Sequence, residues 1–198
     1  MELRRTQLSL ALLIGVAACG DDDTSVDAGF LDTPAAEDAG PDAGPPPPPE
    51  VTTPSGTVAG RRGVGWQEYL GIPYAEPPVG ELRFAMPVAA APWTGTLDGT
   101  SAPARCVQAP LGFDLENDED CLYLNVHTPD PMPENAPVMV WIHGGAFIFG
   151  EGVQTDRGTE GDILAREHGV VVVSMNYRLG SFGFIAHEDG LDGNYGFM

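Results

Sequence analysis

The chain has 198 residues, and its 29 acidic residues against nine basic ones give a formal net charge of −20. Every basic residue is Arg. Such acidity excludes a nucleic-acid surface, which needs clustered positive charge, and equally a basic patch for an anionic membrane, while it favours solubility.

The first residues read as an export signal. Arg4 and Arg5 precede an apolar run, Leu8–Ala18. That run is shorter than the roughly 20 residues a bilayer span requires. A positive start, a short apolar core and the small residues Ala17 and Ala18 are the parts of a cleavable signal. Val16-Ala17-Ala18-Cys19 resembles the bacterial lipobox, in which the Cys is acylated and becomes the mature N-terminus. Residues 1–19 are therefore expected to be a lipoprotein signal, with Cys19 as the lipidation site. The product would be exported and lipid-anchored at the bacterial cell envelope or surface. The alternative is a plain secretory signal with an incidental Cys.

Residues 20–50 are acidic, lack any basic residue, and carry Pro45–Pro49 and Asp-Ala-Gly at 27, 38 and 42. They hold too little apolar surface to offset chain entropy, which predicts a disordered segment. The proline run adds stiffness. The segment reads as a tether. From 51 to 198 the texture is globular.

Strand-like runs at Gly56–Gly60 and Val64–Tyr69 predict a hairpin. Pro73, Pro77 and Pro78 impose an irregular loop. Leu122–His127 predicts a strand, closed by Pro129. Val138–Ile142 and Val170–Met175 are dense apolar runs. Between them Gly161–His168 predicts a short helix, with Ile163 and Leu164 on its apolar side and Gly169 as its stop. Apolar runs without alternation predict strands buried on both faces, as in α/β sheets. One clear helix is few for a complete α/β domain, and no closing element follows Gly190. The expected class is α/β, interrupted part-way through the fold.

Cysteine arithmetic agrees with export. Lipidation of Cys19 leaves Cys106 and Cys121, which can pair in an oxidising compartment. The alternative is two free, buried thiols. Cys106 and Cys121 lie fifteen residues apart, and a bond closing a loop of that size contributes roughly 3 kcal/mol in the chain-entropy model.

The run Val138-Met139-Val140-Trp141-Ile142-His143-Gly144-Gly145-Ala146-Phe147 carries the chemistry. A strand ends and two glycines follow at once, so no side chain there blocks approach to the backbone amides. Acyl transfer develops negative charge on a carbonyl oxygen. One fixed N–H donor aimed at that charge is worth roughly 2.7–4 kcal/mol. Strand-then-His-Gly-Gly is a form this device takes in lipases and esterases. A tight turn with no catalytic role is the competing reading of the motif alone.

Five segments in order widen the comparison: Leu70-Gly71-Ile72-Pro73-Tyr74-Ala75-Glu76-Pro77-Pro78; Gly80-Glu81-Leu82-Arg83-Phe84; Glu119-Asp120-Cys121-Leu122-Tyr123-Leu124-Asn125; the glycine-turn strand; and Ser174-Met175-Asn176-Tyr177-Arg178-Leu179-Gly180-Ser181-Phe182-Gly183-Phe184. Gly193-Asn194-Tyr195-Gly196 continues the pattern. With these, residues 51–198 resemble the N-terminal portion of the type-B carboxylesterase and cholinesterase family. The resemblance implies an α/β-hydrolase sheet and a Ser–Glu/Asp–His triad that hydrolyses small-molecule carboxylic esters without a cofactor. It assigns the oxyanion amides to Gly145 and Ala146, with Gly144 shaping the turn, and it implies a Cys106–Cys121 disulfide and a structural Arg83–Glu119 ion pair. Two positions depart from the pattern: Ala146, where Gly is frequent, and His127, where an apolar residue is usual. The resemblance also pairs Arg178 with an acidic residue that would follow the Gly-Asn-x-Gly segment.

The nucleophile elbow should read G-x-S-x-G, and no such string occurs. Gly180-Ser181-Phe182-Gly183 is one residue short, so Ser181 is not expected to be the nucleophile. The family's order is Ser, acid, His, so none of His127, His143, His168 and His187 is the expected base. They read as surface or turn residues, with His143 at a pocket wall, and no two have metal-ligand spacing. The expectation is a fragment truncated before the nucleophile elbow and inactive by itself. The alternative is a non-catalytic, cholinesterase-like binding or adhesion lipoprotein.

Overall fold

A computed structural model describes residues 46–108, 117–153, 160–188 and 190–197. Residues 1–19, with Cys19, and most of the proposed tether lie outside the described residues. The strands are β1 (Glu50–Thr53), β2 (Gly56–Ala59), β3 (Arg61–Gly63), β4 (Trp66–Pro73), β5 (Thr96–Asp98), β6 (Arg105–Cys106), β7 (Asn117–Asp118), β8 (Tyr123–Pro129), β9 (Val138–Ile142), β10 (Val171–Met175), β11 (Ala186–His187) and β12 (Leu191–Asp192). Helix α1 spans Glu160–His168 and the short α2 spans Gly180–Phe184.

The main sheet has the order β3-β4-β8-β10-β9. It is mixed: β10 runs antiparallel to β8 but parallel to β9, in the register Val171↔Val138 through Met175↔Ile142. Helix α1 makes the crossover between those parallel neighbours, as a parallel pair requires. A second sheet, β1-β2-β5, is clasped by Trp93, whose indole Nε1–H donates to the Thr57 carbonyl at 2.9 Å.

The expected hairpin is corrected. Gly56–Ala59 pairs with Glu50–Thr53, and Trp66–Pro73 pairs with Arg61–Gly63, so each run belongs to its own hairpin. The first turn, at Pro54-Ser55, sits earlier than strand-like composition indicated. Strand β4 slips register between Tyr69 and Ile72. Gly71 stands in the slip at φ +65, and its N–H donates to the Asn125 side-chain oxygen at 3.0 Å. Asn125 is fully buried, so its amide supplies the partner that the interrupted ladder withholds.

Helix α1 packs on β4, β8 and β10. Its inward residues are Gly161 and Ala165, four apart on one face. The expected apolar side is thus partly wrong: Ile163 is 43% exposed and Leu164 only half-buried. The close approach of the helix to His127 admits small residues where larger ones would not fit. Gly169 ends the helix at φ +65, its N–H donating to Ala165 O at 3.0 Å.

One expectation of burial fails. All five residues of β9 are exposed, Val138 by 63% and Ile142 by 61%. Among the described residues β9 pairs with β10 alone and stands at the edge of the sheet, and α1 packs on β4, β8 and β10. Strand β10, one position inward, has the buried residues Val172 and Ser174. The apolar core gathers Ala75, Leu122, Tyr177 and Leu179 around Cys106 and Cys121.

Candidate active site

The glycine turn begins where β9 ends. Gly145 has φ +122, Ala146 φ +53 and Phe147 φ +63. Two successive non-glycine residues in the left-handed region cost of order 1–3 kcal/mol each, and such backbone concentrates at functional sites. The turn closes on the Gly145 carbonyl, which accepts from Ile148 N–H at 3.0 Å and Phe149 N–H at 3.2 Å. Gly180 N–H donates to the Phe147 carbonyl at 2.7 Å and ties the turn to α2.

The two glycines differ. A Cβ on Gly145 would overlap the Phe149 carbonyl, whereas one on Gly144 would meet nothing within 4 Å. The fold itself demands glycine at 145. At 144 its absence of side chain leaves open space beside the turn. Among the described residues, neither the Gly145 nor the Ala146 amide has a hydrogen-bond acceptor. Two uncommitted N–H groups on a rigid turn are suited to an anionic oxygen.

His143 is 3% exposed. Its ring stacks on Tyr177, centroids 4.3 Å apart, and Tyr177 donates its phenol hydrogen to the His143 carbonyl at 2.9 Å. Nδ1 lies 2.8 Å from the Gly144 carbonyl. A carbonyl only accepts, so Nδ1 carries the proton. Burial pushes the imidazole below the usual His range, opposed by that hydrogen bond.

Sequence reasoning missed the residues that hold the far end of the turn. Gln108 grips Gly150 twice: its Nε2 donates to Gly150 O at 3.0 Å, and its Oε1 accepts from Gly150 N–H at 2.9 Å. Asn176 accepts from Gly152 N–H at 2.7 Å and donates to Ala104 O at 3.0 Å. Asn176 and Tyr177 lie in one of the segments quoted above. Gln108 carries no motif signal beyond standing two residues after Cys106.

The remaining candidates take these places. Cys106 and Cys121 form a disulfide. Arg83 and Glu119 form a two-pronged ion pair at 2.5 and 2.7 Å. It is partly solvent-exposed, with Arg83 at 42%, so its contribution to stability is small. Arg178 is buried and donates to three backbone carbonyls, those of Tyr195, Arg83 and Ala85, each at 3.0 Å. These carbonyls spread the charge of a guanidinium that has no carboxylate partner among the described residues.

His127 is not the surface or turn residue expected. It is 1% exposed on β8, and Nε2 lies 3.3 Å from Glu68 Oε2, while Arg61 Nε donates to Glu68 Oε1 at 2.6 Å. Burial pushes the Glu68 carboxyl up, but the His127 and Arg61 hydrogen bonds outweigh it and hold the group below its usual value. His143 is likewise interior, whereas His168 and His187 are exposed, as is Ser181 at the start of α2. Among the described residues no group of three or more His, Cys, Asp or Glu could hold a metal, and no helix is long and apolar enough to cross a membrane.

Known proteins resemble this chain in sequence and in fold. The family model described as carboxylesterase family matches residues 47–198. Para-nitrobenzyl esterase of Bacillus subtilis (strain 168) is 45% identical over 141 residues, which is 68% of this chain and 28% of that protein. Pyrethroid hydrolase Ces2e of Rattus norvegicus is 44% identical over 149 residues, 68% of this chain and 26% of that one. A solved PNB esterase superposes with a TM-score of 0.66 at 43% identity, covering 74% of this chain and 31% of its own. A thermophilic PNB esterase gives 0.68 at 41% identity over 74% and 32%. The chain thus spans between a quarter and a third of the length of these relatives.

Proposed function

The chain belongs to the carboxylesterase family, with part of an α/β-hydrolase fold, and on that premise we propose that it supplies the oxyanion site of a carboxylic-ester hydrolase. The Gly145 and Ala146 amides would donate hydrogen bonds to the oxygen that becomes negative as an acyl carbon turns tetrahedral. Gly144 would leave room for the substrate. The observation that carries this reading is the pair of uncommitted amides on a turn held in a costly conformation. The nucleophile, acid and base are not assigned to any of these 198 residues, because no G-x-S-x-G string occurs among them. By themselves they would hydrolyse no ester above background. The triad-removal residue of intact enzymes, roughly 10³–10⁴-fold over water, needs a complete pocket.

The full chain, isotope-labelled, tests this directly. Titration with a phosphonate monoester, a stable anionic mimic of the tetrahedral intermediate, should move the amide resonances of Gly145 and Ala146 and leave Val172 in place. Unmoved turn amides would remove the oxyanion role. Stoichiometric serine labelling by an organophosphate would refute the missing nucleophile.

The same proposal includes export and acylation at Cys19, supported by Arg4, Arg5, the short apolar run and the Val-Ala-Ala-Cys string. In a bacterial host, labelled palmitate should enter the wild-type chain and fail to enter Cys19→Ser. Equal incorporation in both would exclude the lipid anchor.

A further inference from the structure

The amides of an oxyanion turn work only if the peptide planes stay aimed, so whatever holds those planes governs the site. Three contacts converge on the His143 ring. Tyr177 covers one face. Gly150 abuts the ring so closely that a Cβ there would overlap Nδ1. The Gly144 carbonyl accepts from Nδ1–H. Gly150 is itself clamped on both its N–H and its C=O by Gln108. Gln108 Nε2 also donates to the Cys106 carbonyl at 3.0 Å, which seats the clamp on the disulfide. The other ring nitrogen, Nε2, is buried and has no hydrogen-bond partner among the described residues.

We propose that His143 and Gln108 are positioning residues for the oxyanion turn: Gln108 fixes Gly150 against the imidazole, and the imidazole, as its Nδ1–H tautomer, holds the Gly144 carbonyl turned back into the protein. Rotation of the Gly144–Gly145 peptide moves that carbonyl and the Gly145 N–H together, because a peptide unit is planar. Holding the oxygen therefore aims the amide. Two features discriminate this from packing alone. A ring that merely filled space would have no reason to select one tautomer. A side chain that merely capped a loop would not communicate with a ring it does not touch. This inference rests on the oxyanion reading for its functional meaning, but its physical content does not.

The experiment uses the full labelled chain and reads the imidazole nitrogens by long-range ¹⁵N correlation. At neutral pH His143 should show a protonated Nδ1 and a bare Nε2. In Gln108→Leu the two clamp bonds are lost, and the His143 Nδ1–H should exchange with solvent about tenfold faster, the scale of one lost hydrogen bond. Exchange at Val172 and Val173, in β10, should not change. Gln108→Glu keeps one acceptor for the Gly150 N–H and should fall between. An Nε2–H tautomer, a mixture of tautomers, or unchanged Nδ1–H exchange in Gln108→Leu would each overturn the assignment. None of these readouts depends on ester hydrolysis or phosphonate binding, so the positioning claim and the oxyanion claim can fail separately.

Discussion

Replacing Gly145 with alanine should open the turn, while the same change at Gly144 should not. The difference follows from the backbone. At φ +122 an L-residue stands outside its allowed regions, at a cost of about 1–3 kcal/mol. The new Cβ would also overlap the Phe149 carbonyl. Moving that peptide strains the Ile148 and Phe149 bonds to Gly145 O, each worth about 1 kcal/mol net. Together the cost is about 3–5 kcal/mol. The turn can open locally, however, without the sheet unfolding, and then a global melt would record only part of that cost. The informative assay is therefore native-state amide exchange at Ile148 and Phe149. Each 1.36 kcal/mol is a factor of ten, so Gly145→Ala should speed exchange there at least about a hundredfold. Gly144→Ala, whose Cβ enters open space, should change it less than about twofold. Equal effects of the two substitutions, or a larger one at Gly144, would refute the reasoning.

Further outcomes follow from other parts of the fold. Gly161→Ala gains helix propensity of at most about 1 kcal/mol, but its Cβ would lie 2.8 Å from Nδ1 of the buried His127. Overpacking costs about 1–3 kcal/mol, so urea denaturation should show net destabilisation; a stabilised variant would mean that α1 does not seat on that ring. Removing both Cys106 and Cys121 should cost about 3 kcal/mol in the same assay, from a closed loop with a sequence separation of 15. Stability should fall in two stages on acidification. The His143 pKa is lowered from 6.5 by burial, so stability is complete above 6.5 and is lost as pH drops below it toward the folded value. The Glu68 pKa is lowered from 4.5, so its contribution is present above 4.5 and is lost as pH falls through its folded value. A urea midpoint that stays flat from pH 7 to 5 would contradict the first stage. Val140→Lys should change stability by less than about 0.5 kcal/mol, because Val140 is 55% exposed. It should also slow aggregation, measured by light scattering, since β9 presents an uncharged apolar edge.

Much of the candidate site is legible in the sequence, because local chain chemistry decides it. A β-branched run followed by two glycines specifies a strand and an abrupt turn whatever packs around it. The segments at 70–78, 119–125 and 174–184 identify the family because their special residues meet backbone demands. Asn125 is one example: it completes the broken ladder at Gly71. Less legible are the partners. Gln108 and Gly150 are 42 residues apart, and nothing in either neighbourhood announces the other. His127 reads as a surface histidine because its type is usually exposed. Its burial depends on Glu68 and Arg61 arriving from β3 and β4.

The apolar run Val138–Ile142 shows most clearly where each kind of information ends. Composition alone determines that it is a strand, and that its natural surroundings are apolar, because the free energy of these side chains falls when they leave water. Composition cannot say which strands flank it, since hydrogen bonds between strands carry no sequence label. Tertiary structure decides that, among the described residues, β9 pairs with β10 alone and so stands at the edge of the sheet. In the same way, the His-Gly-Gly string determines that a turn with accessible amides follows. Only the folded chain decides that Gly145 is the indispensable glycine and that Ala146 adopts a left-handed conformation. It also brings His143 under Tyr177 with one nitrogen on the Gly144 carbonyl. The reason is physical: steric limits and propensities act over a few bonds, whereas a peptide plane is aimed by whatever distant side chains close around it.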